Sequence, residues 1–195
     1  MITLEAKAIA TAMSATLFGP VESSFSSVFT DTRRPTPGGL FFALTGPNFD
    51  GHDYIGAAIA AGAKGVVVSR PVEGELPISR FEVVDTHQAL TDLADHVRNI
   101  HPGRFLAVTG SVGKTTMKDM LGAALKGSGA VTVSPGNWNN DIGVPLALFS
   151  TTGEERFVVL ELGMSAPGEI RALSALARPH CAMVTRAAAA HLEFF

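Results

Sequence analysis

The sequence predicts an α/β protein in two parts, a small α/β domain over residues 1–102 and an incomplete parallel-sheet domain over 103–195. Three observations predict it. Short strands that are apolar throughout alternate with helical stretches, as in a parallel sheet covered on both faces. His101-Pro102-Gly103 ends a helix sharply and is the strongest boundary in the chain. Beyond it the rhythm is regularly βαβ. The region from 103 onward is short for a complete domain of this class and leaves an unfinished sheet edge, so the chain reads as the front part of a longer protein.

The elements follow in order. Leu4 to Met13 is a short helix with Leu4, Ala8, Ile9 and Ala12 on one face. After the Pro35–Gly39 turn cluster, Leu40 to Leu44 is a buried strand. Tyr54 to Ala61 is helical and exits through Gly62 and Gly65 into the strand Val66 to Val68. Phe81 to Val84 is another strand, and Thr86 caps a helix to Ile100 with Leu90, Leu93, Ala94 and Val97 inward. In the second region, Phe105 to Val108, Val131 to Val133, Phe157 to Leu160 and Cys181 to Val184 are strands. Lys114 to Lys126 is a helix with Met117, Met120, Leu121, Ala124 and Leu125 on one face, and Pro167 to Ala177 is another helix.

Composition narrows the function classes. With 46% hydrophobic and 17% charged residues, the chain has the material for a buried core and too little charge for disorder. A net charge of −3 with no basic block argues against nucleic-acid binding by phosphate neutralisation. No run reaches the ~18 apolar residues of a membrane span, and Glu5 and Lys7 interrupt the N-terminal apolar stretch. Neither membrane insertion nor a signal peptide fits, and a cytoplasmic monomer is expected. The single cysteine, Cys181, cannot form an internal disulfide and reads as a small buried hydrophobe.

The chemistry begins at Thr109-Gly-Ser-Val-Gly-Lys-Thr-Thr116, a glycine turn between a strand and a helix. That context suits a phosphate loop: backbone N–H groups of Gly110, Ser111, Val112 and Gly113 and the helix N-terminus face an anion. Lys114 reaches the outer phosphates of ATP, Thr115 offers a hydroxyl to Mg2+, and Thr116 closes the run of candidate ATP-binding residues. The pattern G-x-x-x-x-G-K-[ST] would place a glycine where this chain has Val108, so the loop is of a shortened kind. Glu161, at the end of an apolar strand, sets a carboxylate at the carboxyl edge of the sheet, where ligands bind in such folds. Read alone, it is more readily a strand-end glutamate facing solvent; the phosphate loop beside it favours Mg2+ ligation.

The shortened loop resembles the ATP loop of the Mur ligases and folylpolyglutamate synthetases. Gly136-Asn-Trp-Asn-Asn-Asp-Ile-Gly-Val-Pro145, Glu161-Leu-Gly-Met-Ser-Ala-Pro-Gly-Glu-Ile170 and Ala190-His-Leu-Glu-Phe-Phe195 are similar to segments of one Mur branch. Asp31-Thr-Arg33 and Phe42-Ala-Leu-Thr-Gly-Pro-Asn-Phe-Asp-Gly-His52 resemble that branch's UDP-sugar-binding domain. The resemblance covers nearly the whole chain. It implies a UDP-muramoyl-peptide-binding domain followed by the first part of a P-loop ATPase domain. The implied reaction is ATP-dependent ligation of D-alanyl-D-alanine to UDP-N-acetylmuramoyl-tripeptide through an acyl phosphate.

By the same resemblance, Lys114, Glu161 and His191 are catalytic, and Thr115, Glu161 and His191 hold Mg2+. Asp31, Thr32 and Arg33 grip the uridine diphosphate, with Thr45, Gly46 and Asn48 toward the uracil. Asn137, Asn139 and Asn140 lie where the ATP and muramoyl-peptide sites meet; by themselves such amides are equally turn formers. Trp138 is either a packing residue or a lid. The family's T-N-[IV] after the last strand is here Thr185-Arg-Ala187, so Arg186 either competes with Mg2+ or pairs with phosphate. In the family, a carbamylated lysine and a closing domain follow later, so this chain alone is expected not to catalyse ligation. Two alternatives stand beside this reading: a non-catalytic binding module, and the sibling ligase that adds diaminopimelate or lysine.

Overall fold

The computed structural model describes residues 1–72 and 74–188. The chain divides into two compact units between His96 and Val97. The first contains β1 (Leu4–Glu5), α1 (Ala6–Ala12), β2 (Thr16–Phe18), β3 (Ser24–Phe25), β4 (Val28–Phe29), β5 (Leu40–Phe42), β6 (Thr45–Gly46), β7 (Phe49–Asp50), α2 (Ile55–Ala60), β8 (Gly65–Val68) and β9 (Ser79–Glu82). The dividing point falls inside α3 (Thr86–Ile100). The second unit contains β10 (Arg104–Thr109), α4 (Lys114–Leu125), β11 (Val131–Val133), α5 (Gly143–Phe149), β12 (Phe157–Glu161), α6 (Glu169–Ala177) and β13 (Cys181–Val184). No helix among the described residues is long and apolar enough to cross a membrane.

In the first unit, β9, β8, β5 and β4 pair in parallel and β2 closes the β9 edge antiparallel. The runs Leu40–Phe42 and Val66–Val68 are buried at every position, as expected of strands covered on both faces. Each such side chain contributes about 1.5–3 kcal/mol of burial. The helix α3 buries Leu90, Leu93, Ala94 and Val97 as its periodicity predicts. Its cap differs from the expectation. Asp85 Oδ1 accepts from the N–H groups of His87 and Gln88, and the Thr86 hydroxyl is spent on the Ala43 carbonyl. The strand expected to reach Val84 ends at Glu82, and Val84 is fully exposed.

In the second unit, four parallel strands lie in the order β11-β12-β10-β13. Two expectations fail here. The residues of β13 are exposed at this edge, Cys181 among them, because burial of a strand follows from its neighbours and not from its composition. The helix α4 is also turned differently. Met120 and Ala124 are exposed, while Lys118 and Gly122 are buried. A Cβ on Gly122 would collide with a Val133 methyl, so the glycine lets α4 lie close against β11 and brings the Lys114–Lys118–Gly122 stripe inward.

The lower end of this unit is held by Glu155, whose side chain is 7% exposed. Its oxygens accept from the N–H groups of Thr152 and Gly153, from the Thr132 hydroxyl and from His101 Nε2. His101 Nδ1 accepts from the Gly103 N–H, so the ring proton belongs on Nε2, facing the carboxylate. Burial by itself would raise the Glu155 pKa; the Thr152 N–H and the other donors outweigh it and hold the group at about 2, against an ordinary 4.5.

With the folded value below the unfolded one, this stabilisation is complete above 4.5 and is withdrawn as pH falls toward 2. Its size is about 3 kcal/mol. Urea titrations at a series of pH values should therefore show wild type exceeding Glu155→Gln near pH ~7, with the gap closing on acidification. A gap constant with pH would contradict this.

Candidate active site

The phosphate loop follows from β10. Register pairs Val108 with Glu161, so Glu161 of β12 stands level with the end of β10, just before the loop begins. Gly110 and Gly113 both have positive φ, +132° and +83°. A Cβ on Gly110 would run into Thr185 Oγ1 and sit 3.0 Å from the backbone N and O of Arg186, whereas Gly113 faces open space. The loop is laced to the segment after β13. The Ser111 N–H donates to Arg186 O (2.8 Å), the Ser111 hydroxyl to Ala188 O (2.8 Å), and the Thr185 hydroxyl to Val112 O (2.6 Å).

Gly113 precedes α4 with no side chain among the described residues bonded as a cap. The first N–H groups of the helix, at Lys114, Thr115 and Thr116, therefore stand at its positive end without a side-chain acceptor, a setting that favours an anion. Lys114 folds over the loop, its ammonium 2.7 Å from Gly110 O. Beside it lies a cavity of about 270 Å³ lined by Gly110, Ser111, Lys114, Met164, Ile170 and Arg186, among others.

Three segments meet at Glu161, which is 2% exposed. Its Oε2 accepts from the Thr115 hydroxyl (2.9 Å) and its Oε1 from the Asn139 amide (2.9 Å). Its own N–H donates to Ser134 Oγ (3.0 Å). The Asn139 carbonyl accepts from the Gly163 N–H (2.7 Å), and Asn140 Oδ1 from the Gly143 N–H (2.8 Å), which starts α5. Asn137 is exposed and Trp138 half-buried. Sequence-predicted Thr115, Glu161 and Asn139 are thus brought into one cluster, and Asn140 is used to cap a helix. His191 lies outside the described residues. Thr115 and Glu161 supply two hard oxygen donors side by side, which suits Mg2+ better than a softer metal. No group of three His, Cys, Asp or Glu gathers for a metal among the described residues.

Two residues of this cluster were not singled out from the sequence. Ser134 carries a buried hydroxyl at the end of β11. Lys118 is 2% exposed and sits 3.9 Å from Glu161 Oε2. The signal for Lys118 was its spacing, four residues past Lys114 and four before Gly122, which places it on the inward stripe of α4.

The first unit holds a separate cavity of about 410 Å³ lined by Thr30, Asp31, Thr32, Arg33, Phe41, Phe49, Gly51 and Tyr54. Arg33 forms a two-pronged pair with Asp31, Nε to Oδ1 and Nη2 to Oδ2, both at 2.9 Å. The side-chain hydrogen bonds from Arg33 hold the Asp31 carboxyl below the ordinary range. Phe49 and Tyr54 are about half exposed and were not predicted for this site; they present rings to the cavity that a planar ligand can stack on. Thr45 and Asn48 do not line it. Thr45 instead pairs through its hydroxyl with Asp50 (3.3 Å). The floor is braced by His52, whose Nε2 accepts from the Ser69 N–H, leaving Nδ1 to donate to Asp50 (2.6 Å). The His52 N–H, foremost, keeps the Asp50 carboxyl below its usual range.

A strand-turn-helix phosphate loop facing a buried strand-end carboxylate marks a nucleotide-dependent enzyme class, and the comparisons specify it. Residues 24–98 match the Mur ligase family catalytic domain and residues 108–195 the Mur ligase middle domain, which together account for most of the chain. The chain belongs to the Mur ligase family. Within that family it is 46% identical over 172 residues to UDP-N-acetylmuramoyl-tripeptide–D-alanyl-D-alanine ligase of Escherichia coli (strain K12), a match covering 88% of this chain and 38% of that protein. Among solved structures, MurF from Acinetobacter baumannii superposes with a TM-score of 0.91 at 33% identity, over 99% of this chain and 42% of that one. MurF ligase from Thermotoga maritima in complex with ADP matches at 0.76 and 33% identity, over 85% and 38%. The chain thus spans less than half the length of these relatives.

The two loop glycines should differ on substitution. Gly113→Ala carries only left-handed backbone strain, about 1–2 kcal/mol. Gly110→Ala adds a collision with Thr185 and the Arg186 backbone and should be the more destabilising in urea unfolding; the reverse order would contradict the loop geometry.

Proposed function

We propose that this chain is the UDP-substrate-binding and nucleotide-binding part of an ATP-dependent ligase that joins D-alanyl-D-alanine to UDP-N-acetylmuramoyl-tripeptide in peptidoglycan precursor synthesis. The observation that carries the reading is the Thr115–Glu161–Asn139 cluster, set against an uncapped helix N-terminus at the carboxyl edge of a parallel sheet. Identity of 46% to the E. coli ligase supports the choice of substrates.

The physical difficulty of the first step is to bring a carboxylate to a triphosphate. Two unit charges at 4 Å repel by about 4 kcal/mol at an effective dielectric of 20. The chain answers with the helix N-terminus, the Lys114 ammonium and a cation site. Lys114 exchanges the Gly110 carbonyl for phosphate oxygens, and the Thr115 hydroxyl and Glu161 carboxylate would hold Mg2+ with their oxygens. The bound cation would neutralise phosphate charge. A carboxylate oxygen of the muramoyl-peptide attacks the γ-phosphorus and the bond to the leaving ADP oxygen breaks. The amine of D-alanyl-D-alanine then attacks the acyl carbon, and inorganic phosphate departs. Asn139, bonded to Glu161, and the exposed Asn137 two residues before it are the amides assigned to the muramoyl-peptide.

In the first unit, the Arg33 guanidinium pairs with the diphosphate and Phe49 or Tyr54 stacks on the uracil. Asp31 holds the guanidinium in place before the ligand arrives.

Calorimetric titration of the 195-residue chain tests the assignment. Lys114→Met should weaken Mg-ADP binding tenfold or more while leaving UDP-N-acetylmuramoyl-tripeptide unaffected, in line with loss of a charged hydrogen bond worth about 1.5–3 kcal/mol. Arg33→Ala should do the opposite, by a factor of about ten. Failure of the wild-type chain to bind either ligand would sink the proposal.

A further inference from the structure

A lysine is among the residues least often fully buried, yet Lys118 is 2% exposed. Its ammonium donates to Ser134 O at 2.8 Å and to Gly136 O at 3.1 Å. It also faces Glu161 Oε2 at 3.9 Å and Asp119 Oδ1 at 3.8 Å. An apolar residue would fill the same space without the desolvation of a charge, so packing does not explain the cation. What the ammonium adds is a bond from α4 to the segment that leads into Asn137, Asn139 and Asn140.

That segment is fixed at one end and hinged next to it. The Ser134 N–H donates to Val159 O (2.8 Å) and its hydroxyl takes the Glu161 N–H (3.0 Å), so Ser134 is part of the sheet. Gly136 has φ +49° and open space around it. Its carbonyl is held by Lys118, and beyond it Asn139 closes on Glu161 and Gly163. On α4, Lys118 is four residues after Lys114 and three after Thr115, so all three lie toward one side of a rigid helix.

We propose that Lys118 is a positioning residue that couples the phosphate loop to the asparagine segment 134–140. A shift of α4 on taking up a nucleoside-phosphate anion passes through the ammonium to the Gly136 carbonyl and orders the amides that meet the second substrate. This rests on nucleotide binding by the loop, as proposed above.

Hydrogen exchange read by mass spectrometry, with and without saturating Mg-ADP, tests the coupling in the 195-residue chain. In wild type, Mg-ADP should slow exchange by about fivefold or more in both 107–117 and 134–142. Lys118→Met should keep the first effect and lose the second, and Lys118→Arg should restore part of it. Protection of 134–142 surviving in Lys118→Met overturns the coupling. So does a uniform rise in exchange across the nucleotide unit, with and without Mg-ADP, which marks a purely structural lysine. Should Lys118→Met fail to fold, Gly136→Ala perturbs the hinge from outside the core, through left-handed backbone strain at φ +49°. It should retain loop protection while altering that of 134–142 by about twofold or more, and an unchanged pattern overturns the proposal. A wild-type chain that binds no Mg-ADP removes the nucleotide reading and the coupling with it, a result distinct from binding without protection of 134–142.

Discussion

A carboxylate sealed at the end of a parallel strand must be met by donors, and at Glu161 that requirement organises the nucleotide unit. An ionised group this buried is costly unless hydrogen-bonded and faced by positive charge. The Thr115 hydroxyl and the nearby Lys118 ammonium, both on α4, and the Asn139 amide from the segment before α5 satisfy it. Meeting the needs of one side chain therefore brings the phosphate-loop helix and the asparagine segment to the same end of β12. The same hydrogen bonding sets the Thr115 hydroxyl and a Glu161 oxygen side by side.

The shortened loop works under a related constraint. Its glycines let the backbone turn within a few residues, and its bonds to Thr185, Arg186 and Ala188 hold that turn from outside. One of its N–H groups, at Ser111, is thereby committed to the Arg186 carbonyl. The N–H groups at the start of α4 carry no side-chain cap, and the Lys114 ammonium lies over the loop on the Gly110 carbonyl. Arg186 enters this arrangement through its backbone carbonyl and is among the residues lining the adjoining cavity. In the first unit the logic is similar: Asp31 fixes the Arg33 guanidinium, and the His52–Asp50 pair braces the turn that presents Phe49 and Tyr54.

Local signals carried much of the fold. Continuous apolar runs marked the buried strands Leu40–Phe42 and Val66–Val68, and the inward face of α3 followed its period. Where the sequence misled, a neighbour decided. The apolar stripe through Met120 and Ala124 suggested one face of α4, but Gly122 lets the opposite polar stripe approach Val133. Composition suggested a buried Cys181, but β13 pairs on one side only among the described residues. Thr86 has the chemistry of a cap, as does Asp85, and only the contact with Ala43 distinguishes them.

By itself the sequence determined the α/β class, the phosphate loop with Lys114 and Thr115, and a carboxylate at the end of a strand. Each of these is written in a short window, as a turn, a period or a strand terminus. Tertiary structure decided which side chains share the carboxylate, why Asn139 joins it while Asn140 caps a helix, and that a lysine is buried beneath the cluster. Those outcomes depend on register between β10 and β12 and on how closely α4 lies against β11. Both are set by contacts between residues far apart in the chain, where a pattern read along the sequence has no access.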